Sequence, residues 1–205
     1  MNKIALISCG RSDYNIYLPL IKKLNSNPTI KLDIIAAGTH SMPEYGNTID
    51  LFAKDNLTVT HIIDTISNDD SSQGIVKSMA DTMSDFSKFC EMLVNNGVHN
   101  NKRIISEENI KTMTSKYSNG YPDPSEPNVF PLEGYSYGFT FSVLEDSDAW
   151  ASGAPSGIYG WSGYHNTWFW IDPTNNLYAL FMSNSIEPDF SILKDFQIAT
   201  YKFIN

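Results

Sequence analysis

Apolar residues in the first eighty positions come in short unbroken runs alternating with stretches of helical period. Residues 3–9, KIALISC, end at Gly10 and fit a buried parallel strand. Ser12 or Asp13 then caps a helix with apolar positions Ile16, Leu18, Leu20, Ile21 and Leu24, closed by Pro28. LDIIAAG (32–38) reads as a second buried strand. Ser41, Pro43 and Glu44 read as the capping-box start of a second helix. LTVTHII (57–63) is a third strand of alternating character. From Ser71 a third helix carries Ile75, Met79, Met83, Phe86, Phe89, Cys90 and Leu93 at spacings of three or four through about Asn95, with Gly97 as its C-cap. Strands alternating with helices across short loops predict a parallel sheet with right-handed crossovers.

After that helix the pattern changes. Ser106 caps a short helix, with Glu107 and Glu108 in its first turn, that ends near Lys116. Residues 118–134, rich in Gly, Pro, Asn and Asp, form a long loop. Four strands follow, at 135–143, 158–163, 167–172 and 177–184, and DPTNN (172–176) is a hairpin signal between the last two. Residues 190–204 make an amphipathic terminal helix packing through Phe190, Leu193, Phe196, Ile198, Tyr201 and Ile204. The predicted fold class is α/β plus α+β: a three-stranded parallel βαβαβ start (1–83) joined through a shared helix to an antiparallel sheet with a C-terminal helix (84–205).

Composition sharpens the division. Residues 1–83 hold seven Lys/Arg and nine Asp/Glu, and residues 84–205 hold seven and fourteen. All four Trp and seven of the ten Pro fall in the second part. A net charge of −9 argues against nucleic acid or anionic lipid as partners. No apolar run is long enough for a membrane span, and the N-terminus reads as a strand rather than a secretory leader. Cys9 and Cys90 fit two reduced buried thiols in a cytoplasmic chain.

Candidate chemistry in the first part lies in the loops after the first two strands, where parallel sheets bind ligands. No G-x-G-x-x-G is present. Arg11 at the first turn suits a phosphate, because its planar donors pair bidentately with anionic oxygens; the alternative is a surface pair with Asp13. His40 suits a proton carrier or phosphate donor, or is simply solvated. The G-R-x-D-Y turn (10–14), the G-x-H loop, S-x-P-E-Y-G-x-T and G-I-V-K-S-M together resemble, over about residues 1–80, the start of the hydrolysing UDP-N-acetylglucosamine 2-epimerases. That resemblance implies a partial Rossmann-like segment. It also implies that Arg11, Asp13, His40 and Glu44 are remnants of a substrate mouth whose acid/base carboxylates and second domain are absent.

Residues from about 82 to 205, through SDFSKF, YGFTFSV and YGWSGYHNTWFWIDP, resemble the C-terminal part of the serine β-lactamase-related family of class C enzymes and esterases. The resemblance implies that Trp161, Ser162 and Gly163 hold the place of the third active-site motif, on the oxyanion side of the cleft. That chemistry also needs a Ser-x-x-Lys at a helix start and a Tyr-x-Asn on a facing loop, both upstream of SDFSKF. Neither is there. The strings Ser191-Ile-Leu-Lys194, Tyr117-Ser-Asn119 and Tyr164-His-Asn166 occur out of family order and read as chance. The Trp residues read as packing rather than a carbohydrate platform.

The two resemblances meet between about Met79 and Ser84, inside one predicted helix whose apolar stripe keeps its phase. The sequence is therefore read as a hybrid of two truncated enzyme domains without native catalysis. The alternatives are residual UDP-sugar binding or epimerase-like activity, and a serine β-lactamase/esterase-like hydrolase. No cofactor and no metal are expected. A homodimer is expected, because truncated sheets leave unpaired edges; a small-molecule ligand stays open.

Overall fold

The computed structural model describes residues 2–63, 69–117, 132–163, 165–183, 185–186 and 189–204, which form two compact units, Met1–Ala80 and Asp81–Asn205. The predicted loop 118–134 lies mostly outside the described residues, as do Ser118, Asn119 and Tyr164.

In the first unit β1 (Asn2–Ser8), α1 (Arg11–Asn25), β2 (Ile30–Ala37), α2 (Asp50–Lys54) and β3 (His61–Ile63) follow in order. The strands form a parallel sheet in the order β1-β2-β3. Its core gathers Tyr14, Ile21, Ile34, Phe52 and Leu57. The stripe expected on α1 is shifted. Tyr14, Leu18 and Ile21, at i, i+4 and i+7, face the core. Ile16 and Leu20, one position off that row, are exposed. β1 is an edge strand with Ile7 exposed, not a buried one.

The predicted caps of the first two helices also need correction. α1 starts at Arg11 behind Gly10, without a side-chain cap, and Asp13 reaches back to accept from the Cys9 N–H at 2.9 Å. Pro19 sits inside α1, which ends at Asn25, three residues before Pro28. Ser41 does not open a capping box. Gly38–Ser41 and Pro43–Tyr45 are single 3-10 turns, and a regular helix begins only at Asp50. Cys9 is exposed, against expectation, and Cys90 is buried; both are free.

The third predicted helix, α3 (Ser72–Val94), runs unbroken past the boundary between the units, its first turn capped by the Ser71 hydroxyl accepting from Gly74 N–H. Gly97 closes it in the left-handed region at φ 88°, its N–H bonded to the Met92 carbonyl.

The second unit continues with β4 (Val98–His99), β5 (Lys102–Arg103), α4 (Glu107–Thr114), β6 (Tyr135–Tyr137), β7 (Ser142–Leu144), α5 (Ser147–Trp150), β8 (Tyr159–Gly163), β9 (Thr167–Asp172), β10 (Leu177–Phe181) and α6 (Phe190–Ile204). Ser106 caps α4 as expected, accepting from Asn109 N–H at 3.1 Å. The strand expected at 135–143 is two strands, because Gly138 N–H bonds to the Phe141 carbonyl and turns the chain into a hairpin. β4 and β5 were not anticipated. Their turn is Asn100-Asn101 at φ 49° and 59°, the conformation that two-residue hairpins favour.

The five strands β6 to β10 form one antiparallel sheet in chain order. Strand alternation sends Trp168 and Trp170 to one face, where Leu193 and Tyr201 of α6 pack with Trp150, Leu144 and Ile158. Ile171 and Tyr159 go to the other face and meet Cys90 and Leu93 of α3. On α6 the expected Ile198 and Ile204 are exposed, and Gln197 takes a core position between Leu193 and Tyr201.

A candidate active-site cleft at the end of strand β8

β8 is held on one side by β9 along its whole length, Tyr159↔Ile171 through Gly163↔Thr167. On the other side β7 pairs only with Tyr159 and Gly160. Trp161, Ser162 and Gly163 therefore have no strand partner on that side. Ser142 tethers the last paired step, its hydroxyl donating to the Gly160 carbonyl at 3.0 Å. Gly160 is required by close approach: a Cβ there would lie 1.9 Å from the Phe169 carbonyl oxygen. Trp161 is 46% exposed, and its ring lies 5.5 Å from that of Tyr137.

Above this strand end lies a cleft of about 230 Å³ bordered by Tyr137, Ser142, Ser162, Asn166, Trp168 and Gln197 among others. Its floor is tied by long-range hydrogen bonds. Trp150 Nε1 donates to Gln197 Oε1 at 2.6 Å, and Gln197 Nε2 donates to the Tyr135 hydroxyl at 3.2 Å. Trp170 Nε1 donates to the Tyr201 hydroxyl at 3.2 Å, which donates to Asp172 Oδ2 at 2.9 Å. Asp172 also accepts from Asn175 N and Nδ2. Burial pushes the Tyr135 phenol up to about 12. Burial, then the bond to Asp172, raises Tyr201 further still. Neither phenol supplies a base at neutral pH. Burial likewise pushes the Cys90 thiol up to about 12, so no thiolate nucleophile forms there.

Trp168 is the exception in this floor. Its Nε1 is the one buried side-chain polar atom among the described residues without a hydrogen-bond partner. Ser162, paired across from it, makes no side-chain hydrogen bond either. A second cleft of about 290 Å³ borders the same strand end, between it and Phe86 of α3.

The sequence-matched Ser191 and Lys194 have separate partners. The Ser191 hydroxyl donates to Asp189 Oδ1 at 2.6 Å, and Lys194 Nζ sits 5.2 Å from the centroid of the Trp150 ring. Tyr117 packs its ring on Phe139, and Asn166 Oδ1 accepts from Asp189 N–H. Trp150, Trp168 and Trp170 are buried as packing residues.

In the first unit the structure brings Asp13 and His40 to the same strand ends, but not as a solvated mouth. His40 is 1% exposed. Its Nε2 is 2.8 Å from the Ser8 hydroxyl and its Nδ1 2.8 Å from Thr48 Oγ1. Burial lowers its pKa, opposed by the nearby Asp13. The sequence could not show this, because both partners are remote hydroxyls. Arg11 is exposed, and its guanidinium has no hydrogen bond or ion pair, so the alternative reading, a surface pair with Asp13, does not hold. Glu44 is exposed in the second 3-10 turn. Among the described residues no cluster of His, Cys, Asp or Glu is arranged to hold a metal. No described helix is long and apolar enough to cross a membrane.

Comparison with known proteins matches residues 32–201, most of the chain, to the family described as Beta-lactamase. That match starts some fifty residues before the boundary read from motifs. The chain is 33% identical over 89 residues to the Polysialic acid biosynthesis protein P7 of Escherichia coli, covering 43% of this chain and 23% of that protein. It thus spans about a quarter of that relative's length. Among solved structures, EstCE1, a hydrolase with promiscuous acyltransferase activity, is 22% identical, with a TM-score of 0.42 over 55% of this chain and 27% of that one. A penicillin-binding protein homologue from Caulobacter crescentus is also 22% identical, with a TM-score of 0.43 over 56% and 29%.

Proposed function

We propose, since this chain belongs to the beta-lactamase family, that its antiparallel unit forms the oxyanion wall of a serine-hydrolase-type site, binding the carbonyl of an ester or amide against Trp161–Gly163. The observation that carries the reading is the half-paired end of β8. Past Gly160 its backbone has no strand partner on the β7 side, and a cleft opens there beside the free Ser162 hydroxyl. Fixed backbone donors in a partly dry cleft suit a carbonyl oxygen and favour it more as negative charge develops. The wall does not create a nucleophile. The Ser191 hydroxyl donates to Asp189 and Lys194 lies over Trp150, so no hydrogen bond between the two activates the serine. The expected outcome is saturable binding of N-methylacetamide, followed by tryptophan fluorescence, weakened by Ser162→Val. Turnover of nitrocefin and p-nitrophenyl acetate is expected at the level of a boiled control. No saturable binding defeats the proposal. A rate abolished by Ser191→Ala makes Ser191 the nucleophile instead.

A second reading applies to the first unit and draws on its motifs, together with the match of part of this chain to the polysialic acid biosynthesis protein. We infer that this unit is a remnant of a sugar-nucleotide enzyme, in a hybrid chain, and retains weak UDP-sugar binding without epimerisation. Its support is the exposed, unpaired Arg11 at a strand–helix turn, whose planar donors suit a phosphate. Titration of UDP-N-acetylglucosamine by calorimetry tests it. Heat that survives Arg11→Ala, or free UDP released above background, counts against it.

A further inference from the structure

The end of β8 borders two clefts of different character. The first, of about 230 Å³, sets the hydroxyls of Ser142 and Ser162 and the amides of Asn166 and Gln197 in a largely apolar lining. The second, of about 290 Å³, is bordered by Phe86, Phe169, Leu180 and Met182, with the hydroxyls of Thr82, Ser162 and Thr167 at its edge, and among the described residues no charged side chain lines it. Both clefts share Trp161, Ser162, Gly163, Trp168 and Phe169. The orphaned indole N–H belongs to one of these shared residues. A buried donor without an acceptor is destabilising, so a ligand oxygen that meets it adds binding free energy only in the complex.

Resting on the reading above, we propose that the second cleft is the tail pocket of the same site, taking the uncharged alkyl or aryl group of a neutral acyl ligand. The carbonyl lies at the Trp161–Gly163 strand and the tail runs between β10 and α3. Among the described residues the lining offers no charge to offset the desolvation of a carboxylate or ammonium tail, which favours a neutral one. In size, a cavity of roughly 150 Å³ holds a benzene ring. A cleft of about 290 Å³ has room for a ring or a chain of several carbons.

The test is a series of unreactive N-methyl amides of straight-chain acids, from acetic to decanoic, titrated into the whole chain and followed by tryptophan fluorescence. Each methylene that enters an apolar wall is expected to tighten binding roughly fourfold, until the chain outgrows the cleft and the gain stops. Thr82→Trp, which fills the cleft from an exposed helix position, and Met182→Lys, which charges its rim, are expected to flatten the series while leaving the acetamide unchanged. A flat series in the unaltered protein, with the acetamide bound, overturns the tail pocket and leaves the oxyanion wall standing. A slope that survives in both variants also overturns it. If no amide binds, both readings fall.

Discussion

Replacing Tyr201 by Phe isolates the hydrogen-bond chain under the sheet. The ring is 2% exposed, so the phenyl group keeps its packing and only the hydroxyl is lost. Two consequences follow from the geometry. Asp172 Oδ2 loses the donor at 2.9 Å but keeps both bonds from Asn175. Trp170 Nε1 loses its only acceptor, at 3.2 Å, inside a closed core. A hydrogen bond to a charged group contributes about 1.5–3 kcal/mol, and a stranded buried donor costs about 1–3 kcal/mol. The two losses share one hydroxyl and do not add fully, so a destabilisation of about 3 kcal/mol is expected. Urea unfolding followed by near-UV circular dichroism measures it as a lowered midpoint at unchanged slope. The Tyr201→Phe, Trp170→Phe double variant removes the stranded N–H as well. Relative to Trp170→Phe alone, the second change is expected to cost less than Tyr201→Phe does by itself. A loss below about 1 kcal/mol for Tyr201→Phe, or full additivity in the cycle, refutes the reasoning.

Because burial lowers the pKa of His40, its unfolded form binds a proton first as pH falls. The stabilisation from neutral His40 is therefore complete above the ordinary value of about 6.5 and declines as pH drops from there toward the folded value; the slope of urea stability against pH is expected to shrink in His40→Gln. Gly160→Ala drives a Cβ into the Phe169 carbonyl oxygen, so it is expected to break the β8–β9 ladder and abolish amide binding, read by circular dichroism and the fluorescence titration. Ser106→Ala removes the acceptor for Asn109 N–H and is expected to cost about 1 kcal/mol in urea unfolding. We further propose a homodimer: β1 and β10 each pair on one side only, and light scattering at micromolar concentration is expected to give twice the 23.0 kDa chain mass, a lone monomer peak ending the idea.

What the sequence made legible is what neighbours in the chain decide. The Ser106 cap, the 172–176 turn, the limits of α6 and the unbroken α3 each rest on contacts within a few residues. The motif Trp161-Ser162-Gly163 was legible as a string, and its place at a half-paired strand end required β7 to be located. The misses are matters of remote partners. His40 looked solvated because Ser8 and Thr48, which bury it, carry no periodic signal. The core place of Gln197 had no signal in the apolar stripe of α6, because its bonds go to Trp150 and Tyr135, far away in sequence. The hairpin at Gly138 hid inside a run of aromatic residues that satisfies strand alternation throughout. The second cleft had no sequence signal at all, since Phe86 and Met182 come together only through the sheet.

The chain-order sheet of the second unit has a consequence for synthesis. Every strand from β6 to β10 pairs only with its immediate neighbours, so each hairpin closes as soon as its second arm leaves the ribosome. The aromatic face built by Trp168 and Trp170 is then waiting for α6, which is made after the whole sheet. At about 5–20 residues per second, that face stays bare for a second or more while residues 182–204 are added. A nascent chain stalled there is the species that aggregates or recruits a chaperone, and a truncation before Leu193 makes that state permanent.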